Sequence, residues 1–372
     1  MCDDKKIIIY GHGCIGSKFS KILSLYPDSG YKVVGFTNSY DSYEGAELEE
    51  YEYIPRNQIT KMVTDYIIIA ISRESLTEEE VLNIKRYFEG EIDENKIMYW
   101  DEFVNILRKE KIILRYSEST DKEIQETLKW LRTHELTVRN QFENLDQNYY
   151  QVFTDEENGF PYIMFNGYRM YYPLTTRFVE REGKRWIINA VENDQYVGSP
   201  HLYVTKTHMV TNGATIVDVG VAEGNFVLSH INTIKKAYMF ECEAKWLEVL
   251  ALTFKPFKEK VVIIPKKLGD HDNNEYVTLD SVISENVNFV KMDIEGAEVP
   301  AILGGMELLK RSNAKLSICT YHRKNDEKYI SFLLKALGYR TSYAKGRMFF
   351  MYDDDIDYSL DFRHGVMYGV KE

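Results

Sequence analysis

The sequence has few of the features that mark disulfide-rich, zinc-binding or membrane-spanning chains. Four cysteines occur in 372 residues, far apart and without a Cys-x-x-Cys pair or zinc-ligand spacing. Apart from Cys2, they lie in apolar strand or turn segments, which predicts that Cys14, Cys242 and Cys319 are buried thiols in a reducing cytosol. The apolar run at residues 7–10 is too short for a signal peptide core or a membrane span. We therefore expect a cytoplasmic protein.

Basic residues are also scarce relative to acidic ones. The chain has 46 Lys and Arg against 58 Asp and Glu, a net charge of −12. Nucleic-acid binding requires clustered Lys and Arg that displace counterions, and the longest basic runs here, such as Lys184-Arg185, are too short to form a stripe. The composition therefore disfavours a nucleic-acid partner. The length predicts two domains, each able to bury its own core.

The strongest pattern lies at residues 215–226, which read Thr-Ile-Val-Asp-Val-Gly-Val-Ala-Glu-Gly-Asn-Phe. An apolar β-branched run ends near Asp218, a turn begins at Gly220, and apolar residues at helical spacing follow. This predicts a buried strand, a tight glycine turn and a helix, which together bring a nucleotide-like ligand against bare backbone. Glu241 ends the next predicted strand roughly 20 residues on, the position of a ribose-binding acid. The alternative is an ordinary strand–helix–strand unit with chance acids.

These residues also carry a family resemblance. Residues 215–226 resemble motif I of class I S-adenosylmethionine-dependent methyltransferases. Together with residues 289–298 (Phe-Val-Lys-Met-Asp-Ile-Glu-Gly-Ala-Glu), they resemble the FkbM family. Residues 278–280 and 321–322 add to the match, which covers roughly residues 150–372. The resemblance implies S-adenosylmethionine as cofactor and O-methylation of a hydroxyl, on a sugar of a surface glycan or of its nucleotide-activated precursor.

Two other functions stay open at this point. One is an NAD(P)-dependent sugar oxidoreductase that uses a second, N-terminal glycine turn. The other is a non-catalytic binding module of a glycan pathway with a vestigial crevice.

The expected cofactor site follows from the sheet. In open α/β sheets the ligand lies outside the carboxyl ends of the strands, where the strand order reverses. That rule places acids from three strand ends around one crevice. The residues expected to bind cofactor are Asp218, Gly220, Glu223, Gly224, Asn225, Phe226, Glu241 and Asp293.

The expected catalytic residues are Asp293 and His322. They end the fourth and fifth strands, which are neighbours in the methyltransferase strand order, so we expect them to face each other across the acceptor site. An alcohol is a weak nucleophile until its proton is accepted, and imidazole suits that role near neutral pH. His322 is thus the candidate base, and Asp293 would hold its tautomer or the acceptor hydroxyl. A divalent metal with Asp293 and Glu295 as oxygen ligands is the less favoured alternative, because no clear third ligand is present. Glu298 is expected to stabilise a helix dipole.

Three further residues are candidates for substrate contact: His201, Glu295 and Arg363. His201 lies in a polar loop before the methyltransferase sheet, although a lone histidine is more often a structural hydrogen-bonding group. Residues 149–205 are crowded with aromatic side chains that could pack the core or stack on sugars. Within them, Asn166-Gly167 predicts the turn of a β-hairpin.

Residues 5–38 repeat the strand, glycine turn and helix with different chemistry. Gly11, Gly13 and Gly16 form a complete G-x-G-x-x-G turn, but Asn38 stands where an Asp or Glu would hold a ribose diol. Asparagine lacks the charge that strengthens such a bond. The segment resembles Rossmann-like modules found beside bacterial sugar-modifying enzymes. Two roles are equally favoured for this segment: binding of a nucleotide or nucleotide-sugar, and a scaffold without ligand. A working dehydrogenase is less favoured than either.

The predicted fold class is α/β, with two Rossmann-like doubly wound domains. The expected boundaries are 1–115 for the first, 116–148 for a helical connector and 149–372 for the methyltransferase domain, which ends in an antiparallel hairpin of residues 347–352 and 363–370. The connector opens with a capping box from Thr120 to Glu123. Its apolar stripe would pack within the chain or on a second subunit, so oligomerisation through this segment is an open prediction.

Overall fold

The structure is a computed structural model that describes residues 4–40, 51–143 and 147–371. The chain divides into two compact units. The N-terminal unit comprises Met1–Leu136 with Asp354–Leu360, and the C-terminal unit comprises Thr137–Asp353 with Asp361–Glu372. The division at residue 136 lies inside the predicted connector.

The described residues form strands and helices throughout both units. The strands are β1 Lys5–Tyr10, β2 Tyr31–Thr37, β3 Tyr66–Ile69, β4 Ile97–Tyr99, β5 Tyr149–Thr154, β6 Pro161–Phe165, β7 Tyr168–Tyr171, β8 Val179–Arg181, β9 Lys184–Ile188, β10 Thr215–Val219, β11 Lys236–Phe240, β12 Val261–Ile264, β13 Lys267–Leu268, β14 Tyr276–Val277, β15 Phe289–Met292, β16 Lys315–Cys319, β17 Arg340–Tyr343, β18 Arg347–Met348, β19 Arg363–His364 and β20 Val366–Val370. The α-helices are α1 Cys14–Ser24, α2 Glu78–Tyr87, α3 Trp100–Arg115, α4 Lys122–Leu131, α5 Ala190–Asn193, α6 Asn225–His230, α7 Ala244–Thr253, α8 Leu279–Val282, α9 Glu298–Leu303, α10 Met306–Arg311, α11 Asp326–Ala336 and α12 Ile356–Ser359. Short 3₁₀ turns occupy Arg56–Gln58, Arg73–Ser75, Glu94–Lys96, Asn140–Phe142 and Lys255–Phe257.

The N-terminal unit is built on a parallel sheet in the order β2-β1-β3-β4. Its central strands are almost entirely apolar, and Ile8, Ile67 and Ile69 are fully buried. Such runs are typical of parallel strands that are covered on both faces. This sheet confirms the Rossmann-like character that the sequence predicted for the unit.

The main sheet of the C-terminal unit has, within the described residues, the order β12-β11-β10-β15-β16-β20-β17. All pairings from β12 to β16 are parallel, and β20 runs antiparallel to both its neighbours. The predicted doubly wound sheet with a terminal antiparallel hairpin is confirmed. Inside the two predicted strands, β18 and β19 do pair antiparallel, but as a separate two-stranded sheet, and the strand that pairs with β20 at the edge of the main sheet is β17, which the sequence analysis did not predict.

A second, antiparallel sheet in this unit has the order β7-β6-β5-β9-β8. Asn166 and Gly167 connect β6 to β7 with φ angles of 50° and 84°, the left-handed pair that a type I′ hairpin turn requires. The predicted hairpin is therefore confirmed. Val152, Ile163 and Phe165 face inward from this sheet and join the hydrophobic core beneath the main sheet.

Two local predictions were wrong. Cys14 and Cys242 are exposed because Cys14 begins α1 and Cys242 lies two residues beyond the end of β11, outside the buried strands, whereas Cys319 inside β16 is buried as expected. Cys2 lies outside the described residues. The capping box at residues 120–123 is replaced by a simpler cap, in which the Asp121 carboxylate accepts the backbone N–H groups that follow it.

In the described parts of the chain, we find no helix with the length and apolar character needed to cross a bilayer.

Candidate active site

A cavity of about 510 Å³ lies at the carboxyl ends of the central strands of the C-terminal unit. Because β10 has β11 on one side and β15 on the other, the turns that follow these strands diverge around the cavity. Gly220, Glu241 and Asp293 from these turns line it, together with Phe226, and His322 after β16 completes that wall. The structure thus brings both predicted catalytic residues and four of the predicted cofactor residues to one place.

Gly220 is required by the packing of the first turn. Its φ is 78°, in the left-handed region, and a Cβ built there would overlap the carbonyl oxygen of Asp293. The buried ammonium of Lys291 donates to the carbonyl of Gly220. The bare backbone of the turn is therefore fixed against the loop that carries Asp293.

Glu241 lies at the cavity wall and joins the two turns. Its Oε2 accepts the backbone N–H of Ala222 at 3.1 Å, and its Oε1 accepts those of Cys242 and Glu243 at 2.7 and 2.9 Å. These three bonds hold the carboxylate in one orientation. Each carboxylate oxygen can accept more than one bond, so Glu241 can still accept hydroxyl groups from a ligand.

Asp218 does not line the cavity, contrary to the prediction. It is fully buried beneath the turn, and its Oδ1 lies 3.0 Å from Nζ of Lys291. Burial raises the pKa of Asp218 against the opposing effect of Lys291. β10 ends at Val219, as the sequence suggested, and Asp218 is the last residue but one of that fully buried strand, so its side chain does not reach the turn.

Glu223, Gly224 and Asn225 also lie behind the wall rather than on it. Gly224 begins α6 with a φ of 87°, and a Cβ there would lie 2.7 Å from the ring of Phe254. Asn225 donates to the side chain of Asn189 at 2.9 Å. These residues shape the turn and the start of the helix. Of the predicted cofactor residues, Gly220, Phe226, Glu241 and Asp293 reach the cavity.

Asp293 is the centre of the polar wall opposite the glycine turn. Its Oδ1 lies 3.3 Å from Nε2 of His322, and its Oδ2 lies 3.3 Å from Nε2 of His201. The hydroxyl of Tyr203 donates to Oδ2 at 2.6 Å. Burial favours the neutral acid, but His201, Lys291 and His322 together hold the pKa of Asp293 well below its usual range. This aspartate is therefore ionised and surrounded by donors.

His322 is held from both sides by carboxylates. Besides Asp293, its Nδ1 lies 3.1 Å from Oε1 of Glu298, a fully buried residue that also accepts the backbone N–H of Ile294 at 2.9 Å. Burial alone would lower the pKa of His322, but the two carboxylates outweigh it and raise that pKa above 6.5. The sequence analysis missed this role of Glu298. Its place in the same Asp-x-Glu-Gly-Ala-Glu block as Asp293 was the available signal.

His201 occupies the mirror position on the other side of Asp293. Its Nδ1 lies 3.9 Å from Oδ2 of Asp194, and Asp194 is paired with Arg139 at 2.5 Å. Its Nε2 also lies 3.1 Å from the hydroxyl of Tyr321. Burial is the main cause that raises the pKa of Asp194. We call the five groups Asp194, His201, Asp293, His322 and Glu298 the carboxylate–histidine row.

The two remaining substrate candidates lie in different environments. Glu295 lines the cavity but is exposed, in a left-handed turn with φ 53° beyond the end of β15, so it does not continue the strand face of Asp293. Arg363 does not reach the cavity. It is 3% exposed, pairs with Asp353 at 2.6 Å, and donates to the carbonyls of Tyr321 and His322 at 2.9 and 3.1 Å. Arg363 was predicted to contact substrate, but the structure places it where it supports the backbone at His322.

Two sets of side chains in this region are close enough to share a metal ion: His201, Asp293 and Cys319, and Asp293, Glu298 and His322. In the second set the two ring nitrogens of His322 face separate carboxylates, so one ion could take only one of these nitrogens. In the first set burial raises the pKa of Cys319 well above its usual range, and a bound ion would itself deprotonate that thiol. Turnover with a chelator and with added magnesium tests whether a metal is used.

The glycine turn of the N-terminal unit has a different environment. Gly11 has a φ of 115°, Gly13 begins α1 with open space around its Cα, and Gly16 is buried inside that helix. Asn38 is 5% exposed, and its Oδ1 accepts the backbone N–H of Tyr40 at 2.8 Å. The group in the diol position thus bonds to its own chain.

Comparison with known families identifies both parts of the chain. Residues 174–341 match the methyltransferase FkbM domain, and residues 3–98 match the family described as C2185-like, N-terminal. The chain contains an FkbM-family methyltransferase domain. The family and the enzyme class expected from the motifs at residues 215–226 and 289–298 are thereby confirmed. Comparison with curated protein sequences finds no match.

Among solved structures, the FkbM methyltransferase of Methylobacillus flagellatus KT is 13% identical, with a TM-score of 0.43, over 99% of this chain and 90% of that one. Fibrillarin of Aeropyrum pernix, in complex with natively bound S-adenosyl-L-methionine, is 14% identical over 60% of this chain and 100% of that one, with a TM-score of 0.31. A methyltransferase-like protein of Streptococcus mutans in complex with SAH is 14% identical over 43% and 90%, with a TM-score of 0.30.

Proposed function

We propose that the FkbM domain transfers a methyl group from S-adenosylmethionine to a hydroxyl of a small-molecule or glycan acceptor, namely a sugar of a surface glycan or of its nucleotide-activated precursor. The observation that supports this proposal is the position of Asp293. This carboxylate, flanked by two imidazoles, lines the same cavity as the glycine turn and Glu241.

The cavity residues fit this cofactor. A Cβ at Gly220 has no room, which leaves backbone at the wall, and Glu241 supplies a fixed anionic acceptor for ribose hydroxyls. Phe226 and Phe240 add apolar surface to the same cavity. When bound, S-adenosylmethionine supplies a methyl group on a positively charged sulfur, which leaves with the electron pair of the broken C–S bond.

The acceptor side requires a hydrogen-bond acceptor and a place for a proton. Asp293 is ionised and fixed by Tyr203, so it can accept a hydrogen bond from an acceptor hydroxyl and orient its oxygen. Removal of the hydroxyl proton makes the oxygen a competent nucleophile, and imidazole is the side chain suited to accept it. His322 is the base expected from the sequence, and His201 lies at the same distance from Asp293.

The N-terminal unit is proposed to carry no hydride chemistry. Asn38 bonds to Tyr40 and has no charge to offer a ribose diol, so nothing there favours the oxidoreductase. We expect weak binding of a nucleotide or nucleotide-sugar at Gly11–Gly13–Gly16, or none. Cytoplasmic location and oligomerisation through residues 116–148 stay predictions.

The test is a transfer assay with the full-length chain. S-adenosylmethionine carrying an isotopic methyl label is incubated with a panel of nucleotide-sugars and glycans, and labelled methyl ethers are identified by mass spectrometry. We expect label on a sugar oxygen, and its loss in Asp293→Asn, with Glu295→Gln as the matched carboxylate control. Label found only on nitrogen or carbon would refute O-methylation.

A further inference from the structure

The surroundings of His322 define its charge state geometrically. Its side chain is 5% exposed, with Nε2 3.3 Å from Asp293 and Nδ1 3.1 Å from Glu298. A neutral imidazole has one N–H, so it would face one of these carboxylates with a lone pair. A protonated ring donates to both. The charged groups around this side chain are Asp293, Glu298, Asp326 and the Arg363 guanidinium at its carbonyl, with the Tyr321 ring against its face.

His201 has only one such partner. Its Nε2 lies 3.3 Å from Asp293, but the Asp194 carboxylate on its Nδ1 side is 3.9 Å away and paired with Arg139, whereas Glu298 comes within 3.1 Å of Nδ1 of His322. A neutral ring therefore meets no opposed lone pair at Nδ1. The titratable groups that face His201 are Asp194, Tyr203, Asp293, Cys319 and Tyr321.

We propose that His322 is a permanently charged donor to Asp293, held in that state by the positioning residue Glu298, rather than the base that takes the acceptor proton. This rests on the proposed function, and it reverses the role that the sequence suggested for His322. A ring that already carries both protons cannot accept another, so its part is to donate to Asp293 and fix the carboxylate that orients the acceptor hydroxyl.

The role of Glu298 follows from its burial. It is fully buried at the start of α9, and its Oε1 is fixed by the Ile294 N–H. A buried carboxylate without a cationic partner is costly, so Glu298 and a charged His322 stabilise each other. Glu295 is close in sequence but exposed, which makes it a matched control.

The experiment is a pH titration of the full-length chain labelled with ¹⁵N-histidine, followed by NMR of the ring nitrogens between pH 5.5 and 9. The same samples are tested for S-adenosylhomocysteine binding by calorimetry. His201→Gln and His322→Gln assign the two rings. His208 is an internal reference for a neutral ring. Its Nε2 lies 3.1 Å from Oγ of Ser317, and burial lowers its pKa to about 4.

At pH 7.5 we expect the ring-nitrogen shifts of a charged imidazole for His322. Glu298→Gln should lower the pH at which His322 loses its proton by about 1 unit or more, and Glu295→Gln should not. A neutral His322 at pH 7.5, or an unchanged His322 titration in Glu298→Gln, would overturn the inference. If the unmodified chain does not bind S-adenosylhomocysteine, the proposed function is refuted, whatever the charge of His322.

Discussion

The two units of this chain each place glycines after a buried parallel strand, and their surroundings differ. Gly220 is pressed against the loop of Asp293, and the acid that follows the next strand, Glu241, lines a cavity. In the N-terminal unit Gly13 has open space, and the corresponding residue, Asn38, bonds to the backbone two residues on. A glycine turn therefore lets a ligand approach the backbone. The side chain at the end of the second strand then determines whether the ligand's hydroxyl groups can be bound there.

The largest expected difference between the turns is in stability. Gly220→Ala must displace the Asp293 backbone and adopt a left-handed φ, so we expect the free energy of unfolding of the C-terminal unit to fall by about 3 kcal/mol or more. Gly13→Ala, with φ −84° and no neighbour within 4 Å, should change stability by about 1 kcal/mol or less. Urea unfolding compares them. Equal losses of stability in the two variants would show that packing does not constrain the turn at Gly220.

The next effect is on turnover. His322→Ala removes a charged donor to Asp293, so we expect turnover to fall roughly tenfold to a hundredfold with nearly unchanged affinity for S-adenosylhomocysteine. Asn38→Ala should leave turnover unchanged. Turnover is measured with the acceptor found in the labelled panel. A His322→Ala variant at wild-type rate would show that the row is structural. If a chelator abolishes turnover and added magnesium restores it, a metal ion takes part in the reaction instead.

A third comparison concerns the two strand-end residues as ligand-binding groups. Losing a charged hydrogen bond at Glu241 should cost on the order of 1.5–3 kcal/mol, or roughly tenfold to over a hundredfold in affinity for S-adenosylhomocysteine. Glu241→Ala is the variant, titrated by calorimetry, with circular dichroism to check folding. Asn38→Ala is the matched variant in the other unit and should not change this affinity. Unchanged binding in Glu241→Ala would remove Glu241 from the cofactor site.

The smallest effect is a pH dependence of stability. The pKa of His322 is raised in the folded chain, so its stabilising contribution is complete below the unfolded value of about 6.5 and is lost as the pH rises through the folded value. Urea midpoints at pH 6 and pH 9 should therefore differ more in the wild type than in His322→Gln. If the difference is the same in both, the two carboxylates do not hold a proton on this ring.

Much of the fold could be predicted from local patterns. β10 and α6 follow the strand, glycine turn and helix predicted at residues 215–226, because a β-branched run, glycines and helical apolar spacing are local signals. The Asn166-Gly167 turn has local chemistry that no tertiary contact needs to supply. The prediction that Cys242 is buried was wrong for the opposite reason, since an apolar context does not show where a strand ends.

The site was predicted less completely because its contacts join distant segments. Asp293 and His322 come from adjacent strand ends, which the strand order makes neighbours. His201 reaches Asp293 from a loop with no periodic pattern, and Arg363 is drawn inward by buried carbonyls and acids. No spacing in the sequence shows that Glu298 turns its carboxylate toward a ring 24 positions further on rather than toward solvent.

The account's central claim is that the C-terminal cavity, and not the N-terminal glycine turn, is the cofactor site of this methyltransferase. Parallel calorimetric titrations of the full-length chain with S-adenosylhomocysteine and with NAD test it most directly. We expect saturable binding of S-adenosylhomocysteine that is weakened in Glu241→Ala and retained in Asn38→Ala, and NAD binding that is far weaker or absent. Micromolar binding of NAD, abolished in Asn38→Ala and accompanied by no binding of S-adenosylhomocysteine, would contradict it.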